Sequence, residues 1–216
     1  MIFRTLILFS TVILFTGLTA PDNAAAQDRF GISVFPGYHA INTDTISDNE
    51  NVSQTDWIFG LNLTTRFRIS DVPLAYTVGA AYGSSTILDQ TYGFNLEFNR
   101  TIDLRYRSLP QELLWVYSVT ENIELLTGIN VTLQDRTLRY SYSDIEDDRL
   151  FSVGLGLSGK VHLVLSRFSS GNGRLFMNLA ARWTEFIWHD EQGRDLDDFT
   201  LRHVTFSPEI GVSWGL

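Results

Sequence analysis

Between Trp57 and Ile69 two classes of residue alternate without a break. Trp57, Phe59, Leu61, Leu63, Thr65, Phe67 and Ile69 make one face, greasy and aromatic near both ends. Ile58, Gly60, Asn62, Thr64, Arg66 and Arg68 make the other, which is small, polar or cationic. A period of two is that of a β-strand, whose successive side chains point to opposite sides. In a soluble sheet the apolar face would meet a second layer of sheet or helix. Here the split recurs strand after strand with no helix to cover it, so the pattern calls for lipid.

Composition agrees. The chain has 216 residues, 44% of them hydrophobic, with 16 glycines and no cysteine. That size fits one domain or a small barrel. Without cysteine there are no disulfides, thiolate nucleophiles, Cys-ligated metals or lipoprotein anchor. A net charge of −9 argues against nucleic acid, whose phosphates need a basic face. Past the N-terminus no apolar run approaches the ~18 residues of a membrane helix. The N-terminus itself reads as an export signal over residues 1–26. Arg4 supplies the positive charge, Leu6 to Leu18 the apolar stretch, and Ala24 to Ala26 the small residues before a cut ahead of Gln27. Residues 27–216 are then the mature domain.

Taken in order, the alternation predicts eight strands. The first runs from Phe30 to Ile41 and the second is Trp57–Ile69. In the third, Leu74, Tyr76, Val78, Ala80 and Tyr82 face out, while Ala75, Thr77, Gly79, Ala81 and Gly83 leave room inside. In the fourth, Ile102, Leu104 and Tyr106 read as outward, with Asp103 and Arg105 inward. Beyond Pro110 the apolar phase shifts to Leu113, Trp115, Tyr117 and Val119, which predicts a bulge at the proline. Strands follow from Ile123, from Phe151, from Leu175 and from Phe199 to the end. Long or acidic connections, near 42–56, 84–93, 143–149 and 190–198, alternate with short ones, near 70–73, 120–122 and 167–173. Short turns are periplasmic in outer-membrane barrels. The expected fold is therefore all-β: an eight-stranded antiparallel up-and-down transmembrane barrel in the cell outer membrane.

Eight strands enclose an interior that side chains about fill. Inward parity collects Arg66, Arg68, Asp103, Arg105, Arg107, Glu124, Lys160, His162, Arg182, His203 and Glu209 there. Charges in a narrow, lipid-walled lumen are costly unless paired, so these residues are expected to form a structural charge network rather than an ion path. Trp57, Tyr82, Trp183 and Trp188 fall near loop ends and Phe67, Trp115 and Trp214 near turn ends, as two interfacial belts require. The last eight residues, Glu209 to Leu216, resemble the terminal β-signal read by barrel assembly machinery through Gly211, Trp214 and Leu216. A terminal Phe is commoner there than Leu.

A narrower resemblance rests on Tyr106-Arg-Ser-Leu-Pro-Gln-Glu-Leu-Leu followed by Ile123-Glu-Leu-Leu-Thr-Gly128. It is similar to the PorT-type outer-membrane β-barrel family, in which an aromatic precedes a Pro-centred apolar strand and the next strand carries Leu-x-Gly. Tyr106, Pro110, Leu125, Leu126 and Gly128 match. Gln111 and Glu112 depart where that family is apolar, and Ile129 replaces a usual proline. The resemblance implies architecture and carries no link to secretion.

Other motifs weigh less. Gly154-Leu-Gly156-Leu-Ser-Gly159 matches a dinucleotide pattern but sits inside an alternating strand, without the strand-turn-helix that pattern needs. The four histidines, His39, His162, His189 and His203, form no nucleophile–base–orienter set, so no enzyme and no catalytic residue is expected. The acidic clusters at Asp144–Asp148 and Asp190–Asp198 lack calcium-loop spacing and read as solvated faces, with no cofactor or metal assigned. Expected partners are outer-membrane lipid and lipopolysaccharide, periplasmic chaperones and the assembly machinery, together with an unidentified extracellular one. The expected role is structural or interactive, through exposed acidic loops over a plugged lumen. A narrow channel or passage for small, including lipophilic, molecules, through a continuous lumen or a side opening at the small residues of the third strand, is the second reading. A lipid-modifying enzyme is the third.

Overall fold

In the computed structural model the described residues are 30–43, 52–70, 72–93, 96–140, 148–168, 173–191, 194–195 and 201–215. They form β1 (Phe30–Thr43), β2 (Val52–Ile69), β3 (Val72–Gly93), β4 (Leu96–Thr120), β5 (Ile123–Tyr140), β6 (Asp148–Arg167), β7 (Gly173–Glu191), a two-residue β8 (Arg194–Asp195) and β9 (Leu201–Trp214). Each long strand pairs antiparallel with its neighbour in sequence, and β9 closes the ring on β1. The predicted leader and the acidic loop 143–147 lie outside the described residues, as do the side chains of Asp103, His39, Trp188, His189, Asp190 and Asp195.

Register fixes the geometry of the ring. Beginning at Phe30, paired partners run Thr65, Tyr76, Leu113, Ile129, Leu157, Trp183, Val204 and back to β1 at Ala40. One circuit thus climbs 40 − 30 = 10 residues, a shear of 10 for eight long strands. Such stagger tilts strands by roughly 35–45° and leaves a bore that side chains can fill. Crossing a membrane at that tilt takes ~9–11 residues. With 22 and 25 residues, β3 and β4 are about twice as long as such a crossing needs and run on at the loop end. The segment 84–93, read from sequence as a loop, is this extension, paired with Leu96–Arg105. Its Ser, Thr and Gln content is common to loops and to strands without an apolar face.

The outward faces are apolar, as predicted. Trp57, Phe59, Tyr82, Leu157, Trp183 and Phe206 are exposed toward the loop end, and Trp115, Tyr117 and Trp214 toward the turn end. At the turn end Phe30 and Trp214 stack across the closing seam, with centroids 6.3 Å apart.

The fourth strand differs from its sequence reading. Tyr106, Ser108, Pro110, Glu112, Leu114 and Val116 are all buried inside, on one unbroken alternation, and Arg105 and Arg107 are exposed. The β4–β5 ladder runs through Pro110 without a shift, and its irregularity lies at Ser118/Thr120 instead. Tyr106 turns inward because Gly83, opposite it, has no side chain, and any Cβ there would strike the Tyr106 ring. Pro110 is tolerated because the β3–β4 pairing lapses between Val78↔Gln111 and Ala81↔Ser108, where no proline N–H is needed.

Candidate functional site

The lumen is the site to which most polar burial is committed. At its centre are Glu112 of β4 and Glu209 of β9, with side chains 0% and 1% exposed. Lys160 Nζ lies 2.6 Å from Glu112 Oε2 and 3.3 Å from Glu209 Oε1. Arg182 joins the same two, its Nε 2.6 Å from Glu112 Oε1 and its Nη2 3.2 Å from Glu209 Oε1. Two carboxylates face two cations, so the quartet is neutral. That balance is what burial demands, because an unpaired charge there would carry its full desolvation cost.

Neutral donors complete the shell. Asn62 donates to Glu209 Oε1 at 2.9 Å, Asn178 to Oε2 at 2.7 Å and Ser33 to Oε2 at 3.4 Å. Asn178 Oδ1 also meets His162 Nδ1 at 2.7 Å. Glu209 therefore gathers side chains from β1, β2, β6 and β7, and the arginine and lysine carry the link on to β4. Arg182 lies 5.4 Å from the Phe35 ring centroid, so its planar face is covered as well. Small polar groups fill the neighbouring level: Asn130 donates to Ser158 Oγ and the Trp183 carbonyl, and Thr184 donates to Asn130 Oδ1.

Both ends of the quartet are closed. Toward the turns, Ala75, Leu114, Val116 and Leu126 form a buried apolar cluster. Arg66 Nη1 meets Glu124 Oε2 there at 2.7 Å, both side chains about one-seventh exposed. Toward the loops, Tyr106, Gln134, Arg136, Phe186 and His203 are buried, with Arg136 lying 5.1 Å over the Phe186 ring. Cavities of about 20 and 30 Å³ flank the quartet, enough for a water or two. The small residues of β3 do not open a passage. A Cβ on Gly79 would come within 2.8 Å of Pro110 Cγ, and Tyr106 occupies the space over Gly83.

Of the residues assigned to the lumen from sequence, Lys160, His162, Arg182 and Glu209 meet in the central network, and Arg66 and Glu124 pair near the turns. His203 is buried against Phe186. Arg68, Arg105 and Arg107 are exposed. Arg68 has inward parity but sits one residue from the end of β2, where its long stem lets the charge reach water. Arg105 and Arg107 follow the unbroken phase of β4 outward. Glu112 is the residue that sequence reasoning missed. Counting back from Val119, Tyr117, Trp115 and Leu113 as outward would have placed it inside. Its neighbour Gln111, polar on the outer wall, accepts a hydrogen bond from Tyr76 Oη at 2.8 Å. Of the assembly signal, Gly211 lies under the Phe176 ring and Trp214 on the seam, while Leu216 is outside the described residues.

No protein-family description matches the chain, and no curated protein matches it. Solved structures do. Neisserial surface protein A shares 13% identity at a TM-score of 0.54, over 86% of this chain and 97% of that one. A major outer membrane protein from Thermus thermophilus shares 12% identity at 0.49, over 86% and 99%. The Yersinia pestis attachment invasion locus protein, solved with a heparin analogue, shares 13% identity at 0.46, over 87% and 99%. The first likeness bears on fold, and with the closed ring of eight long strands it makes this chain a small β-barrel of the outer-membrane type.

Proposed function

We propose that this chain is an integral outer-membrane barrel with a non-conducting lumen, which acts by presenting its loop end to the outside. The observation that carries the reading is the quartet of Glu112, Lys160, Arg182 and Glu209. It spends four charged side chains and three amide or hydroxyl donors on closing the bore. A conduction path would keep such groups wet, and voids of about 20 and 30 Å³ hold no continuous column of water. Strands prolonged at the loop end give that end the reach for adhesion or another surface contact. We assign no catalytic role.

We also place the chain with the PorT-type barrels, on residues whose local roles support the resemblance. Tyr106 caps the lumen over Gly83, and Pro110 packs on Gly79. Gly128 admits the backbone of Leu113, with which a Cβ would collide. Because the chain has no cysteine, sidedness can be tested by single substitutions. A membrane-impermeant maleimide should label Glu146→Cys on intact cells and reach Asn122→Cys only after the outer membrane is permeabilised. Labelling with the opposite preference would overturn the reading.

A further inference from the structure

The outer wall holds a feature that the plugged lumen does not use. A groove of about 1140 Å³ runs over β2 to β6, walled by Phe59, Leu61, Tyr82, Leu109 and Phe151 and floored by Ala80. The walls named are outward residues, so the groove opens toward lipid, while Gly60, Ala81 and Ser108 of the inward face also line it. It lies where the β3–β4 ladder lapses at Gly79 and Ala80, and Ala80 offers only a methyl group among large neighbours. Its volume exceeds the ~300–1,000 Å³ usual for small-molecule pockets, which suits a broad, multi-chain occupant.

The loop end of the groove is cationic in a chain of net charge −9. Arg107 stands between Tyr82 and Asp135 on one cross-strand row, and Phe151 is next beyond Asp135. Arg149 binds Asp135 through two hydrogen bonds, of 2.8 and 2.6 Å, so that carboxylate is already engaged. Arg105, two residues further out on β4, is exposed on the same side. Among the described residues, three guanidinium groups stand against one carboxylate, an excess of positive charge above an apolar trough. Guanidinium groups bind phosphate through paired N–H donors.

We propose that this groove is a binding site for a phosphorylated, multiply acylated lipid of the outer leaflet, of the lipid A kind. Acyl chains lie over Ala80 between Phe59 and Leu109, and a phosphate sits at Arg107 and Arg149. The inference rests on the outer-membrane reading above, because it needs the loop end to face the outer leaflet.

The test uses the mature barrel folded in neutral phosphatidylcholine, with heat-modifiable gel migration to establish folding and native mass spectrometry to count bound lipid. Bis-phosphorylated lipid A is the probe. One lipid A should be retained per barrel, and fully dephosphorylated lipid A should be held at least tenfold more weakly. The Arg107→Gln/Arg149→Gln pair should lose retention by a similar factor, and Ala80→Trp should lose it by filling the floor. Since Ala80→Trp can also disturb folding, the exposed arginine pair is decisive. Equal retention by wild type and the arginine pair would reduce the site to ordinary annular lipid and overturn the proposal. Competition by millimolar inorganic phosphate would identify a free-anion site and overturn it as a lipid site. A folded, inserted barrel that retains no lipid A overturns this inference alone, whereas a chain that does not insert overturns the membrane reading with it.

Discussion

Glu209 shows what a single residue must do in a bore this narrow. Its two oxygens take donors from Ser33, Asn62, Lys160, Asn178 and Arg182, and Glu112 balances the remaining positive charge. Glu209→Gln or Glu112→Gln removes one negative charge and leaves a buried cation uncompensated. Breaking a buried pair from one side costs about 3–5 kcal/mol. Urea unfolding of the barrel in lipid vesicles should show a loss of that order for either change. Glu112→Gln combined with Lys160→Met restores the charge balance and should recover part of it; no recovery would mean that the charge balance is not what matters. Four members of the network, Lys160, His162, Arg182 and Glu209, were legible in the sequence because each sits in a stretch whose neighbours alternate cleanly. Glu112 is reached only by carrying the phase of Leu113, Trp115, Tyr117 and Val119 back past Leu113 toward the polar Gln111 and Pro110. Arg68 was misplaced because parity states a direction for Cβ and not for a guanidinium several bonds further out. The pairing itself was not legible: nothing in a one-dimensional pattern brings β4, β6, β7 and β9 to one height.

At the scale of the element, strands were found by their membrane-facing parity, and that signal fades where the membrane ends. The segment 84–93 of β3, at the loop end, has no apolar face to mark. Alternation with Ile102 and Leu104 therefore points Tyr106 toward lipid, whereas Tyr106 is the lid of the lumen. Glycines add a constraint that parity does not carry. At Gly128 an added Cβ would run into the Leu113 carbonyl oxygen, and at Gly156 into that of Trp183, whereas at Gly159 nothing lies within 4 Å. Gly128→Ala should accordingly destabilise the barrel by about 1–3 kcal/mol, the usual cost of overpacking. Gly159→Ala should be neutral or slightly stabilising. A matched pair of unfolding curves decides it, and equal effects at the two positions would show that strand spacing is not set by these contacts.

For the whole molecule, strand number and shear settle what the bore can be. Eight long strands with a shear of 10 leave a lumen of side-chain width, and the sequence fills it with an apolar cluster, a neutral charged quartet and an aromatic lid. The strand count, the antiparallel order and the position of short turns were all legible from alternation and loop length. The shear was not, because it depends on which residues pair across eight ladders. On the proposed reading, function then moves to the outside of the barrel: to the loop end, and to the groove over Ala80 with its rim of arginines. The claim on which this rests is that the bore is sealed. Single-channel recording of the refolded barrel in a planar bilayer, with folding established by heat-modifiable migration, tests it most directly. A correctly folded, inserted barrel should show no steady openings; reproducible unitary conductance from the wild-type chain would mean that the bore is open.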